Sequence, residues 1–364
     1  MTSTERVAVI GTGLIGTSVA LAALRAGDSV SGFDVDPETL AHAAGRAEFE
    51  PASSLAACVA RSSLVFVCTP IPTVASLAAQ ALVEAPEAVV TDAGSVKSHI
   101  VREVEARVST DHARRFVGGH PMGGSERSGP DGASAAVLDG IVWVLTPSPA
   151  ADDGAASRLE AWVAKVSGQP VRMDPVRHDR LVAIVSHLPQ VASTTLMGLA
   201  ASEEAGEPEI LLLAAGGFRD LTRLAASSPA LWSDILLSNR DELARAIDLY
   251  TERLAAMRDL VLGGRWSDVE RTFADAKGAR LALAAKPQVK AGVGVIQVPV
   301  PDRPGVLAEL TATLGERQVN IEDLQIVHSP EGGKGTVHLT VASASADAAT
   351  RALEERGFEP LRLA

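Results

Sequence analysis

Two short loops in this chain hold residue types that proton and hydride chemistry needs. Asp92-Ala-Gly-Ser95-Val-Lys97 carries an acid, a hydroxyl and an amine. Gly119-His120-Pro-Met-Gly-Gly-Ser125-Glu126 sets an imidazole between glycine and proline, on a sharp turn. Further on come His187 in an apolar stretch, then Gly216-Gly-Phe-Arg219-Asp220-Leu-Thr-Arg223, then Trp232. A neutral imidazole can take the proton of a hydroxyl while the carbon beneath it gives up hydride. That transfer contributes roughly 10²- to 10⁴-fold to a rate. Arg219 and Arg223 are four apart, so on a helix they share a face. Guanidinium groups bind carboxylates, at about 1.5–3 kcal/mol per charged hydrogen bond. Each residue has a plainer alternative. His120 could only shape its loop, and His187 could be a satisfied core histidine. Ser95 and Lys97 could cap the following helix. The arginines could form a solvated face, and Trp232 could be core.

The elements that must position these groups begin at the N-terminus. Arg6 to Ile10 reads as a buried strand, running straight into Gly11-x-Gly13-x-x-Gly16 and an Ala- and Leu-rich helix to Ala26. Gly11 permits the tight turn, Gly13 lets a pyrophosphate approach, and Gly16 lets helix and strand pack closely. Free N–H groups and the helix dipole favour an anion there. A second strand, Ser29 to Phe33, ends in Asp34, where a ribose-binding acid belongs. Asp34 would repel a 2′-phosphate, and no Arg or Lys follows before Arg46. The pattern therefore points to NAD over NADP, held by Gly11, Thr12, Gly13, Leu14, Ile15, Gly16 and Asp34. Thr69 and Pro70, at the end of the strand Ser62 to Cys68, line the same crevice. An ordinary glycine turn in an α/β unit is the alternative.

Further strands are expected at Ala88 to Thr91, Arg115 to Gly118 and Ile141 to Leu145, alternating with helices. That spacing predicts an α/β, Rossmann-type, doubly wound parallel sheet over residues 1–172. Residues 173–288 read as all-helical, with runs from Val176 to about Glu204 and from Pro229 to about Leu262. Pro189 should disturb the first of these. By analogy, such a domain supplies substrate groups and a dimer interface. After a linker, residues 293–364 read as strand, helix, two strands, helix and strand, a small α+β ferredoxin-like domain.

The totals fit. With 364 residues, 46% apolar but only 3% aromatic, the cores must be built from Ala, Val and Leu. A net charge of −12 argues against a nucleic-acid partner, so an anionic substrate needs locally placed cations. Cys58 and Cys68 form no metal-spaced cluster and read as buried thiols of a reducing, cytoplasmic compartment. No metal is expected. The charge-poor stretches Ser62 to Val83 and Leu181 to Ser202 do not read as membrane spans. The first is split by Pro70 and Pro72, and the second reads as a buried helix of a soluble core.

Several separate motifs then fall in one order. They are the glycine-rich start, Thr91-Asp-Ala-Gly-Ser-Val-Lys97, Gly119-His-Pro-Met-Gly-Gly-Ser-Glu126, Ser186-His-Leu-Pro-Gln190, and Gly217-Phe-Arg-Asp-Leu-Thr-Arg-Leu-Ala225 with Trp232. Together they resemble the prephenate dehydrogenase family, including its arogenate-using relatives, over roughly residues 6–285. Gly123 stands where that family often has Ala, and Ser125 where Thr is common. The tail, Asp302-Arg-Pro-Gly-Val-Leu-Ala-Glu-Leu310 with Asn320-Ile321, resembles an ACT domain, an amino-acid-binding regulatory module.

The resemblance implies an NAD-dependent oxidoreductase of tyrosine biosynthesis that converts prephenate to 4-hydroxyphenylpyruvate and CO₂. It implies His120 as base, Ser95 orienting it, and Arg223 on a substrate carboxylate. His187, Arg219, Ser125, Gly216 and Trp232 would complete the pocket. It also implies a homodimer and tyrosine feedback at an interface near Asp302, Pro304, Gly305, Val306, Leu307, Asn320 and Ile321. The rival substrates are arogenate and 4-amino-4-deoxyprephenate. A non-catalytic amino-acid sensor on a dehydrogenase fold is the rival of a different class, and a tail that only dimerises is the rival to feedback.

Overall fold

Val7 to Ile10 and Leu64 to Val67 are apolar runs in which every residue is buried. Strands covered on both faces by helices have that pattern. The structure, a computed structural model, describes residues 4–123, 129–204, 206–207, 209–284, 293–301, 303–328 and 334–362. The two runs lie at the centre of an eight-stranded sheet. Its strands are β1 (Arg6–Ile10), β2 (Ser29–Phe33), β3 (Glu50–Pro51), β4 (Leu64–Val67), β5 (Val89–Asp92), β6 (Phe116–Pro121), β7 (Val142–Pro147) and β8 (Gln169–Arg172). The order across the sheet is β3-β2-β1-β4-β5-β6-β7-β8. It reverses between β1 and β4, the switch point where such sheets open a crevice.

Helices α1 (Leu14–Arg25), α2 (Pro37–Ala47), α3 (Leu55–Val59), α4 (Ile71–Glu84), α5 (Ser98–Arg107), α6 (Thr110–Ala113) and α7 (Asp153–Lys165) join the strands. Successive strand residues feed opposite faces. Val7, Val9 and Phe66 enter one core, while Ala8, Ile10, Val65 and Val67 enter the other. The first core holds most of the aromatic bulk. Trp162 lies 4.5 Å from Phe66 and 6.0 Å from Trp143, ring to ring. Its indole N–H donates to buried Asp28 at 3.0 Å. The sheet is not wholly parallel as the spacing predicts, because β6 and β7 pair antiparallel. A parallel return needs a long crossover, usually a helix. Among the described residues, this connection holds only two short 3₁₀ turns, Pro130–Gly132 and Ala135–Leu138.

Helices then dominate: α8 (Pro175–Val182), α9 (Leu188–Glu203), α10 (Glu209–Leu212), α11 (Gly216–Thr222), α12 (Pro229–Ser238), α13 (Arg240–Leu262) and α14 (Trp266–Ala284). The expected disturbance at Pro189 is a π-turn, Ala183–His187, between α8 and α9. Proline has no N–H to give and crowds the turn before it, so the helix widens there. The single run expected from Pro229 to Leu262 is broken at Asn239. Pro175–Glu203 is long and apolar enough to cross a membrane by length and hydropathy. Only a minority of it is buried, where a buried helix is expected. Val182, His187, Gln190 and Ser193 are buried, while Ile184, Val185 and Leu199 are exposed.

The chain forms two compact units, Met1–Thr195 with Leu224–Leu249, and Leu196–Arg223 with Tyr250–Ala364. The second contains the expected ferredoxin-like domain. Strands β9 (Val293–Pro301), β10 (Ile321–His328), β11 (Lys334–Ala342) and β12 (Leu361–Arg362) alternate with helices α15 (Val306–Glu316) and α16 (Ser343–Glu355). Its sheet has the order β10-β11-β9-β12 and is antiparallel throughout. Ile296, Val298, Leu310, Leu314, Val337, Leu339 and Leu353 fill its core.

The turn from β1 to α1 tolerates no side chain at its third glycine. A Cβ on Gly16 would lie 1.9 Å from the Gly11 carbonyl oxygen. Gly16→Ala should therefore push α1 off β1 and cost about 1–3 kcal/mol. A lowered Tm with weakened dinucleotide binding is the expected result, read by thermal unfolding with and without NAD.

Candidate active site

The crevice has a nucleotide end. Gly11 has φ +88°, which L side chains rarely adopt, and its N–H donates to the Phe33 carbonyl at 2.8 Å. Thr69 sits against it, since a Cβ on Gly11 would lie 2.7 Å from the Thr69 methyl. Gly13 faces open space and caps α1 with no side chain over the helix N-terminus. The first N–H groups at Leu14 and Ile15 are thus left for an anion. Asp34 is tied to the same turn. Its carboxylate accepts from Thr12 N at 2.7 Å, Thr12 Oγ1 at 3.2 Å and Asp36 N at 3.0 Å. Phosphate room, helix N-terminus and an acid one strand away fit a dinucleotide with a free ribose 2′-hydroxyl. Pro70 is the N-cap of α4 at the next strand end.

The other end is built around His120, near the end of β6. A Cβ on Gly119 would meet the Asp92 carbonyl oxygen at 2.4 Å and Thr91 Oγ1 at 2.6 Å. Glycine at 119 therefore lets β6 lie close to β5. The Lys97 side chain is fully buried and pairs with Asp92. Its ammonium also donates to the Gly119 carbonyl at 2.6 Å. Asp92 accepts in turn from Gly119 N at 3.1 Å and Gly94 N at 2.9 Å. His120 Nδ1 stands 2.9 Å from His178 Nε2, and His178 Nδ1 stands 2.8 Å from Asp179 Oδ1. Asp179 also accepts from Lys97 N at 2.7 Å and Ser98 N at 2.8 Å, so a residue of α8 caps α5. The partner of His120 is thus His178. Ser95, expected to orient it, is part-buried on the loop before α5 and makes no hydrogen bond to it.

His187 is buried in the π-turn, edge-on to Trp232 with ring centroids 6.2 Å apart. Asn239, at the break between α12 and α13, reaches the Asp179 carbonyl at 2.8 Å and His187 Nδ1 at 3.2 Å. Gln190 donates to the Leu224 carbonyl at 2.8 Å. Its amide oxygen and the Ser193 hydroxyl are buried without partners among the described residues. Both lie on the same helix face as His187, at spacings of three.

Burial, with the neighbouring His178, Lys97 and His187, holds His120 well below the ordinary histidine value. Burial lowers His187 to about 4, against the opposing charge of Asp179. Asp179 itself is raised by burial, but the hydrogen bonds from His178, Lys97 and Ser98 outweigh this and hold it ionised. Burial raises the Cys58 thiol to about 11 and raises Cys68 as well, with the charge of Asp92 adding. Both are free thiols. Among the described residues, no His, Cys, Asp or Glu cluster forms a metal site.

His120, His187 and Trp232 share the first unit with the glycine turn. Gly216, Arg219 and Arg223 are exposed on α11 and the turn after it, in the second unit. Ser125 and Asp302 lie outside the described residues. The remaining effector candidates do not meet within one chain. Val306 is a core residue, whereas Pro304, Gly305 and Asn320 are exposed. Pro301 pairs with Lys334, but Ile321 pairs with Val341, seven residues further along β11. At about 3.3 Å per residue, roughly 23 Å separates the two ends.

Sequence reading missed His178, Asp179 and Asn239. A signal existed for the first two. Pro175, His178, Asp179 and Val182 fall on one buried helical stripe, so two ionisable residues occupy apolar positions.

Comparison with known proteins agrees with this architecture. Residues 19–171 match the model "Prephenate dehydrogenase, nucleotide-binding domain", residues 174–275 match "Prephenate dehydrogenase, dimerization domain", and residues 294–358 match "ACT domain". The prephenate dehydrogenase of Bacillus subtilis is 31% identical over 93% of this chain and 92% of its own. The cyclohexadienyl dehydrogenase of Zymomonas mobilis is 29% identical over 78% of this chain and 97% of its own. The crystal structure of Aquifex aeolicus prephenate dehydrogenase with hydroxyphenyl propionate and NAD+ superposes with a TM-score of 0.72. It is 28% identical, over 78% of this chain and 99% of that one. The chain is thus an oxidoreductase built on a nucleotide-binding sheet, with a helical dimerisation domain and an ACT domain. It belongs to the prephenate dehydrogenase family.

Depressed histidines fix the direction of the pH response. Both are neutral in the folded chain, where an unfolded histidine charges below about 6.5. Their stability contribution is complete above that pH and is lost as pH falls below it, down to about 4 for His187. A base at His120 should stay competent through the same window. The kcat/KM profile is expected to be flat from pH 8 to 6 and to fall only in more acid solution. An inflection near 6.5 would show that His120 is not held down.

Proposed function

We propose that this chain catalyses the NAD-dependent oxidative decarboxylation of prephenate to 4-hydroxyphenylpyruvate, as a cytoplasmic homodimer regulated by tyrosine through its ACT domain. The observation that carries the reading is a neutral, part-buried His120 at a strand end of the same sheet as the glycine turn and Asp34. When bound, NAD supplies the hydride acceptor. His120 takes up the proton of the ring C4 hydroxyl as hydride leaves that carbon. The C1–carboxylate bond breaks, CO₂ departs, and its electron pair completes the aromatic ring. The proton then returns to the phenol oxygen. Aromatisation drives the step, so the protein mainly positions and polarises. Ser95 and His187 act on the reacting end of the substrate, Arg219 and Arg223 bind its carboxylates, and Ser125, Gly216 and Trp232 are the further substrate-binding candidates.

The homodimer reading draws on the dimerisation-domain match and on exposed Tyr250, Leu254, Val261, Trp266 and Phe273 along α13 and α14. Such a run of exposed apolar side chains needs cover. Arogenate is the second reading. The Synechocystis arogenate dehydrogenase structure superposes with a TM-score of 0.67, is 28% identical, and covers 76% of this chain and 98% of that one.

NAD reduction should be followed with prephenate and arogenate side by side, each with and without tyrosine. Turnover of prephenate, slowed by tyrosine, is expected. Turnover of arogenate alone would transfer the assignment to that substrate, and unchanged rates with saturating tyrosine would remove the feedback. The nucleotide preference has its own check. Asp34→Ala should raise the KM for NAD and narrow its advantage over NADP, whereas an unaltered ratio would take ribose recognition away from Asp34.

A further inference from the structure

We propose that Asp179 sets the two site histidines in opposite tautomers, leaving His120 Nε2 as a bare acceptor and His187 Nε2 as an N–H donor. The inference deepens the reading of His120 as base and rests on it. Two hydrogen-bond chains leave Asp179, one through its side chain and one through its backbone.

The first chain starts at the carboxylate. Asp179 is ionised, so Oδ1 can only accept, and the proton between it and His178 belongs to His178 Nδ1. In the proposed arrangement His178 is the Nδ1–H ring, with its lone pair at Nε2. His120 Nδ1, 2.9 Å away, must supply the proton of that contact. The remaining nitrogen of neutral His120, Nε2, is left without a proton. It is the atom of the ring able to take one from a hydroxyl.

The second chain starts at the Asp179 carbonyl, which also can only accept. It orients Asn239 with the amide nitrogen towards it, at 2.8 Å. The same nitrogen faces His187 Nδ1 at 3.2 Å, and its second proton can fill only a lone pair there. The proton of neutral His187 therefore sits on Nε2. One histidine accepts from substrate and the other donates to it, as an uncharged donor suited to a carboxylate or carbonyl oxygen. Neither would hold its state unaided, because a free imidazole exchanges tautomers readily. His178, Asp179 and Asn239 are positioning residues: they act through the two imidazoles.

The direct test is nitrogen-15 NMR of the full chain labelled at histidine, which has eight such residues. His120→Gln and His187→Gln spectra assign the two rings. His120 is expected as the Nδ1–H form and His187 as the Nε2–H form. The reverse form at either ring, or an imidazolium at His178, overturns the assignment. Kinetics gives a second reading. His178→Gln should lower kcat by roughly 100-fold, with the KM for substrate within a few-fold. Asn239→Asp removes the donor to His187 and should mainly raise that KM, while Asn239→Gln restores part of it. Equal losses of thermal stability with unchanged kcat and KM would leave these residues a structural role and sink the proposal. If the tautomers are as assigned but His120→Ala turns over normally, the base assignment fails and the tautomer assignment stands.

Discussion

The site hangs on one buried ammonium. Lys97 has no exposed side-chain surface, so its charge must be met inside the protein. Asp92 and the Gly119 carbonyl meet it, which binds the end of β5 to β6 one residue before His120. The Lys97 backbone N–H is held by Asp179, so the same residue joins the sheet to α8. Removing one partner of a buried pair costs about 3–5 kcal/mol, since the other charge is left unpaired. The arrangement is therefore rigid, and His120 and the His178–Asp179 pair are fixed relative to each other by strand ends and a capped helix. Placement on regular elements is what precise proton transfer asks for.

That rigidity has an electrostatic consequence. Burial, first, and the cation at Lys97 oppose a positive charge on His120. A neutral imidazole results at physiological pH without any special feature of the ring itself. The anion of Asp179 is spent on backbone N–H groups and on His178, leaving His120 without a direct carboxylate partner. A direct partner would have raised its proton affinity and charged it before the substrate arrived.

Much of this was legible in the sequence because it is local. The glycine turn, Asp34, the strand–helix alternation and the βαββαβ tail each follow from period and turn chemistry within short windows. His120 announces itself by its glycines and proline, and Pro189 announces the π-turn. What was illegible depends on contacts distant in the chain. His178 and Asp179 look like two more polar residues of a helix until α8 is seen facing β6, 58 residues from His120. Asn239 is invisible inside an unbroken helical pattern, and only the kink between α12 and α13 gives its amide a target. Ser95, beside Lys97 in a loop full of functional types, was the natural partner for His120. The geometry gave that place to a residue on another element. The antiparallel β6–β7 pair was missed for a related reason, since a strand's direction is set by what connects it, not by its own composition.

The ACT domain repeats the lesson at larger scale. Its predicted effector residues sit in two clusters that the sequence brings within about fifteen positions, and α15 then carries the chain away from one to reach the other. An eleven-residue helix at 1.5 Å per residue spans about 16 Å, more than an amino acid can bridge. Pro304, Gly305 and Leu307 of one chain cannot share a small ligand with Asn320 and Ile321 of the same chain. A site using both clusters must be built from two copies, each contributing one end. Regulation of that kind would make effector binding depend on dimerisation, and the exposed apolar residues of α13 and α14 would then serve the effector site as well as the fold.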